Sequence, residues 1–293
     1  MIESQIIVNS AISFSEFLLI AIGFSIIYKI TKFFHFAHAI VFTFGAYFAF
    51  LFNQIFNISL FISIPFAIIA ACLLGCLMEW FIYKPLRKKN STSLVLLLTS
   101  LGIYIVLQNV ISMVFGDDTK SIRTWQVKEG LNVFGARITE VQIIIIISSI
   151  VLVSLVAGYL YLAKTGKAMR AVASDPELAN VSGMNSDKVI LTAFASGSAL
   201  AGIAGILVSL DVDMTPTMGM NALLMGVVAM IIGGANSIRG IALGALLLAT
   251  AQNLGVWYIS SQWQDAIAFG LLLVFLLFKP EGFMGRKIRT AEI

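Results

Sequence analysis

The sequence is dominated by long, nearly uninterrupted apolar runs. They fall at about 5–28, 37–56, 58–83, 93–115, 140–163, 189–210, 220–235, 240–258 and 265–279. A helix needs roughly 20 mostly apolar residues to cross a bilayer, and inside hydrocarbon every backbone polar group must be bonded within the protein. Closed β-barrels meet that demand with short alternating segments instead. Runs this long predict helices. Only 12% of the residues are charged, against about 25% in an ordinary soluble domain, and the mean hydropathy is +0.96. The expected fold is all-α: one polytopic membrane domain over residues 1–293, with about eight or nine hydrophobic helical segments.

The basic residues are distributed by side. If all nine segments cross, one side receives Lys29, Lys32, Lys84, Arg87, Lys88, Lys89, Lys164, Lys167, Arg170, Lys188, Arg239, Lys279, Arg286, Lys287 and Arg289. These are fifteen of the nineteen; Lys120, Arg123, Lys128 and Arg137 fall on the other side. The positive-inside rule then predicts an N-terminus outside and a C-terminus in the cytoplasm. It also predicts a cytoplasmic loop at 164–188 and an external loop at 116–139. A net charge of +4 arranged this way does not point to nucleic acid. Met1-Ile2-Glu3 has no basic region and no clear cleavage site follows, so the first span is expected to stay.

Two segments are doubtful as simple spans. Segment 37–56 follows the polar, aromatic stretch Thr31 to His38, and segment 220–235 is short, follows Thr215-Pro216-Thr217, and ends at Gly233-Gly234. Either fits a broken or re-entrant helix. Paired interruptions in two halves point to a midplane pathway, by analogy with secondary transporters.

The most polar cytoplasmic stretch is 164–188. Gly166 and Gly183 bracket a segment that reads as a short amphipathic helix and a turn. Asp175 before Pro176 is a helix-start signal, the carboxylate capping and the proline taking the first helical position. Ala171, Leu178, Ala179 and Val181 can press on a partner, ringed by Lys167, Arg170, Asp175 and Glu177. An ordinary solvated loop would look similar on these grounds alone.

The order G-K-A-M-R-A-V-A-S-D-P-E-L-A-N-V-S-G-M-N, followed by F-A-S-G-S-A-L-A-G-I-A-G-I-L, resembles the coupling loop and next span of one ABC-importer permease family. That family is the branched-chain amino acid permeases, the H-type membrane subunit. Gly219-Met220 with Ile232 to Gly240, the ending Phe278 to Arg286, and the stretch 84–98 are similar to its other signatures, so the resemblance covers nearly the whole chain. His35-Phe36-Ala37-His38-Ala39 stands where the family carries N-F-A-H-G; His38 matches, while His35 and Ala39 depart. The resemblance implies a broken helix beside a pathway, with His38 fixing backbone by hydrogen bonds. The missing glycine puts the turn geometry in question. It implies a second permease subunit, homologous or identical, two cytoplasmic ABC ATPase subunits that dock at Gly166–Gly183, and an extracytoplasmic substrate-binding protein. The location implied is a bacterial inner membrane.

No G-x-x-x-x-G-K-[ST] occurs, so ATP is expected to be used by partner subunits and no cofactor is expected on this chain. No nucleophile–base–orienter set appears, and no catalytic residue is assigned. His35 and His38 lack a neighbouring third ligand, so no metal site is assigned either. Pathway candidates are Glu16, His35, His38, Gly233, Gly234 and Asn236. For Glu16 two readings stand: an intramembrane carboxylate that meets a substrate ammonium group, or an interfacial one if the helix starts near Ser13. Glu79 is read as snorkelling to the basic link. Gln108 and Asn109 are read as bonding between helices. Asp211 and Asp213 are either a cation-attracting vestibule or solvated helix-end charges. Cys72 and Cys76, one turn apart, read as packing residues. Ser198, Ala201, Gly202, Gly205, Gly240 and Gly244 mark faces where helices approach closely. Three functions fit these residues: an ABC importer permease for branched-chain or other hydrophobic amino acids (urea and amide permeases are related), an ion-coupled secondary transporter, and an intramembrane histidine enzyme.

Overall fold

The computed structural model describes residues 2–123, 125, 130–133 and 135–285. Lys128, Arg286, Lys287 and Arg289, four of the basic residues in the sidedness count, lie outside the described residues. Helix α1 (Ile2–Thr31) is followed by α2 (His38–Phe50), which continues as a π-helical turn, Leu51–Ile55. Helix α3 (Leu60–Met78) runs through a second π-helical turn, Glu79–Tyr83, into α4 (Lys84–Lys88). Then come α5 (Ser93–Phe115), strands β1 (Leu131–Val133) and β2 (Ala136–Ile138), and α6 (Glu140–Leu162). The short helices α7 (Lys164–Ser174) and α8 (Pro176–Val181) lead into α9 (Ser186–Asp211). Helices α10 (Met218–Gly233), α11 (Ile238–Tyr258) and α12 (Gln264–Phe278) complete the chain.

Among the described residues, eight helices are long and apolar enough to cross a membrane, and α10 is the one shorter apolar helix. Four of them, α5, α6, α9 and α11, start at a polar side chain that accepts from a free backbone N–H group. Thr139 and Gln142 form a reciprocal capping box at α6, at 3.2 and 3.0 Å. Asn185 caps α9 and Ser237 caps α11, at 3.0 and 3.2 Å.

Helices α1 and α9 form the centre. They are apolar on every side because they are surrounded by protein: α1 by α6, α9, α10 and α11, and α9 by α1, α2 and α3. In a bilayer such packing rests on close van der Waals contact rather than on escape from water. Gly45 of α2 meets Gly202 of α9 so closely that a Cβ on Gly45 would lie 2.5 Å from the Gly202 Cα. Helices α5, α6 and α12 form the periphery and leave Val106, Ile147, Leu155 and Leu273 exposed.

One expectation of an all-α chain needs correction. The loop expected at 116–139 contains the antiparallel hairpin β1–β2, with Leu131 opposite Ile138 and Val133 opposite Ala136. Arg137 of β2 exchanges two hydrogen bonds with the Gln5 side chain at the start of α1, at 2.8 and 3.1 Å. Nearby, Lys120 and Met214 exchange backbone hydrogen bonds at 3.0 and 2.8 Å, strapping this loop onto the end of α9. The two ends of the bundle are called below the hairpin end and the basic end.

Candidate functional site

Helices α7 and α8 form a surface module at the basic end. Helix α7 is amphipathic: Gly166, Met169 and Val172 are buried at helical spacing, against α1, α6 and α9. Asp175 caps α8 as its sequence indicates, accepting from the N–H groups of Glu177 and Leu178 at 3.0 and 2.9 Å, with Pro176 in the first turn. Gly183 ends α8 in the left-handed region at φ +85°, where the Met184 N–H reaches the Ala179 carbonyl at 3.0 Å and the Gly183 N–H reaches Asn180. Of the residues assigned to partner contact, Lys167, Arg170, Leu178 and Val181 are exposed, the last two at 63% and 86%. Ala171 is half-buried, whereas Gly166 and Ala179 face their own chain. Gly166 is pressed against the Tyr159–Leu160 backbone, and a side chain there would lift α7 off α6.

The two doubtful segments meet at their starts. After α1 the chain turns at Lys32 (φ +57°) and runs back into the protein as buried, non-helical backbone. His38, the first residue of α2, packs edge-on against Phe24, about 10 Å back along α1 from its end. Helix α2 then rises to the hairpin end, where Tyr47 packs on Phe115, the last residue of α5. Helix α10 begins beside it, with Gly219 against the Ala39 carbonyl and the Thr43 hydroxyl, and descends to the basic end. Helices α2 and α10 therefore start together in the interior and diverge.

Buried non-helical backbone must be hydrogen-bonded. The resemblance gave that task to His38, but its two ring nitrogens have no partner among the described residues. Ser100 of α5 does it instead: its hydroxyl accepts from the Phe36 N–H at 3.0 Å and lies 3.2 Å from the Phe34 carbonyl. His35 shares a 3.1 Å hydrogen bond with Tyr83 through Nδ1 and is enclosed by Phe33, Tyr83 and Phe194. His35 and His38 are fully buried, with ring centroids 6.1 Å apart.

A polar ladder links the surface module to this junction. Glu79 does not snorkel; it is buried and held by both terminal nitrogens of Arg87, one at 2.9 Å. Arg87 also lies 3.8 Å from Asp187 in the first turn of α9, which Lys84 meets at 3.2 Å. The π-helical turn Glu79–Tyr83 turns both of its end residues inward, Glu79 to Arg87 and Tyr83 to His35. Ser100, Tyr83, Arg87, Asp187 and Phe194 were not singled out from the sequence, because each sits in an ordinary apolar run or basic link.

Other assignments change. Helix α1 is continuous from Ile2, so Glu16 is mid-helix rather than at a start near Ser13. The adjacent Ser15 carbonyl accepts from Ser149, deep in α6, at 3.1 Å, and Glu16 is half-buried. Gly233, Gly234 and Asn236 belong to the α10–α11 turn at the basic end, where the Ala235 carbonyl accepts from the Ser25 hydroxyl of α1 at 3.2 Å. Gly234 has φ +93°, and Asn236 is exposed. The segment after α12 clasps this turn: the Phe283 and Met284 N–H groups donate to the Ile232 and Gly233 carbonyls at 2.8 and 3.1 Å. Two signatures far apart in sequence are thus one piece of structure. Among the described residues, Gln108 and Asn109 bond within α5, to Ser112 and Ile105. Asp211 and Asp213 are engaged: Arg123 donates to the Asp211 carbonyl at 2.9 Å and to the Asp213 carboxylate at 3.0 Å, and Gln142 reaches Asp211. The Arg123 guanidinium holds the Asp213 carboxyl below the ordinary carboxylate range.

Comparison with known proteins gives a consistent result. Residues 6–276 match the family model described as the branched-chain amino acid transport system permease component. The chain is 32% identical to the high-affinity branched-chain amino acid transport system permease protein BraD of Pseudomonas aeruginosa, covering 96% of this chain and 95% of that protein. It is also 32% identical to the permease protein LivH of Escherichia coli, covering 93% and 92%. A probable LivH of Methanocaldococcus jannaschii is 27% identical over 96% and 92%. Among solved structures, PsaBC from Streptococcus pneumoniae in complex with Fab matches with a TM-score of 0.51 at 16% identity, covering 93% of this chain and 91% of that one. That likeness speaks for the fold alone.

Proposed function

The chain belongs to the branched-chain amino acid transport permease family, and from that premise we propose that it is the membrane subunit of an ABC importer for branched-chain or other hydrophobic amino acids. It is a multi-pass membrane protein. On this reading the basic end faces the cytoplasm, in keeping with the positive-inside rule, in a bacterial inner membrane. Two ATPase subunits, which use the ATP, dock on α7–α8. A second permease subunit, homologous or identical, sits alongside. A binding protein delivers substrate at the hairpin end.

The observation that carries the reading is the α7–α8 module. Its rear face is packed on α1, α6 and α9, while Lys167, Arg170, Leu178 and Val181 are left outside. A module built this way transmits a push instead of absorbing it. Asn185 joins it directly to α9, and the Asp187–Arg87–Glu79 ladder passes displacement to Tyr83, His35 and the start of α2. Alternating access would then open and close around the paired starts of α2 and α10, with Glu16, His35 and His38 near the pathway and Gly233, Gly234 and Asn236 at its inner end. Docking biases this equilibrium only if its free energy differs between the two states.

The names of the relatives support a branched-chain substrate. A second reading is ion-coupled transport, favoured by Glu16, an intramembrane carboxylate that no described cation pairs with. A detergent pull-down of the tagged chain separates the two, run beside a variant with residues 170–179 scrambled. ATPase subunits captured by the native chain and lost with the scramble support the importer. Their absence from a well-folded native chain sinks it and turns attention to Glu16.

A further inference from the structure

A cleft of about 670 Å³ opens at the basic end, between the last turns of α1 and α6, helix α7 and the α10–α11 turn. That size suits a small organic ligand or a lipid headgroup. Three cations line it: Lys29, Lys32 and Arg170. No carboxylate lines it, and none of the three is in an ion pair among the described residues. Lys84 and Arg87 at this end are answered by Asp187 and Glu79, whereas the cleft gathers three cations around one opening with no carboxylate among them. Lys32 reaches its place from the left-handed turn that ends α1, its N–H bonded to the Tyr28 carbonyl at 2.9 Å. Arg170 lies over the Tyr161 ring at 5.1 Å, which fixes the guanidinium at the rim.

The floor of the cleft is apolar, formed by Ile30, Leu160 and Met169 among others. It adjoins Tyr161 and Leu162, which are 54% and 79% exposed at the end of α6. The outward face of α6 continues from there as exposed Leu155, Val151 and Ile147. A ligand suited to this place carries a phosphate and, beside it, a hydrocarbon chain.

We propose that the cleft binds an anionic phospholipid, its phosphate held by Lys29, Lys32 and Arg170 and its acyl chain lying along α6. Basic pockets between helices at the membrane surface are suited to such headgroups. The bound lipid would join α7 to α1 and to the α10–α11 turn, so the lipid composition of this leaflet would set how firmly the module is held. The proposal needs only a membrane-embedded chain and stands apart from the transport reading.

The test uses the full-length chain in detergent, titrated with phosphatidylglycerol or phosphatidylcholine and read by native mass spectrometry. Phosphatidylglycerol is expected to bind more tightly, and Lys29→Gln/Lys32→Gln to weaken it about 25-fold, near fivefold per cation removed. Equal binding of the two lipids by the native chain, or no weakening in the variant, overturns the proposal. Displacement of phosphatidylglycerol by inorganic phosphate alone also overturns it, by reassigning the cations to a soluble anion. If the variant does not fold, a photoreactive phosphatidylglycerol on the native chain decides. Labelling near Tyr161 and Met169 supports the site, and labelling elsewhere refutes it. Loss of that labelling in chain co-purified with its cytoplasmic partners refutes it too, since the cations would then belong to a protein contact.

Discussion

Replacing Arg87 by leucine tests the ladder beneath the surface module. The Glu79 side chain is 1% exposed and Arg87 20%. Arg87→Leu therefore leaves a carboxylate sealed in protein with its bidentate partner gone. Breaking a buried pair from one side costs about 3–5 kcal/mol. The partial exposure of Arg87 admits some water and puts the expectation near the lower limit, about 3 kcal/mol. The loss at Asp187 adds little, because that group is 40% exposed and keeps Lys84 at 3.2 Å. Removing both charges, as Arg87→Leu/Glu79→Met, replaces the pair by apolar groups and is expected to return stability to within about 1 kcal/mol of native. The assay is reversible unfolding of the purified chain in mixed micelles of increasing dodecyl sulfate fraction, run as a double-mutant cycle. Uptake in reconstituted vesicles is the second readout. The double variant is expected to be stable yet slow, since Asp187 has lost its route to the His35 junction. A cost below about 1 kcal/mol for the single variant would refute the burial argument. Full uptake by the double variant would refute the ladder as a path of transmission.

Three further outcomes are expected. Asp175→Ala removes both cap hydrogen bonds of α8 and is expected to cost about 1 kcal/mol, seen as faster amide exchange at Glu177 and Leu178 with the transmembrane helices unaffected. Gly45→Ala forces a Cβ into the Gly202 backbone and is expected to destabilise by about 1–3 kcal/mol, whereas Gly102→Ala, with open space around it, is neutral in the same unfolding assay. For the strap at the hairpin end, the depressed Asp213 carboxyl implies that its pairing with Arg123 is complete at neutral pH and lost only as pH falls through that lowered value. Amide protection factors at Lys120 and Met214 are thus expected to hold from pH 8 to about pH 5 and to fall only in stronger acid.

The apolar runs carried most of the architecture. The runs at 140–163, 189–210 and 240–258 begin within a few residues of α6, α9 and α11, although the caps Thr139, Asn185 and Ser237 that fix those starts were not picked out from the sequence. The interruption before His38 and the shortness of 220–235 were legible too, because polar residues and Thr-Pro-Thr break the runs. That the two interruptions touch was not: adjacency across 180 residues leaves no mark in either local pattern. The π-helical turn at Glu79–Tyr83 was also hidden, since one extra residue per turn leaves an apolar stretch equally apolar. Glu79 was misjudged for the same reason. Near a basic link, reaching out to water and reaching back to Arg87 look identical until the turn fixes its direction. In the surface module the cap and the closing glycine were readable. Which apolar residues of α8 face inward depends on how it packs back on α7 and α9, and that separated buried Ala179 from exposed Leu178 and Val181.

The clasp formed by Phe283 and Met284 has a consequence for biogenesis. The Ile232 and Gly233 carbonyls are synthesised about 50 residues before the N–H groups that bond them, several seconds at 5–20 residues per second. During that interval α10 is a short, apolar helix with an open lower end, and α11 and α12 must be threaded as a pair before it can be closed. Insertion and completion are therefore separate events in this chain. A nascent form stopped after α11 would carry the crossings made so far and still be open to misassembly or proteolysis at the turn.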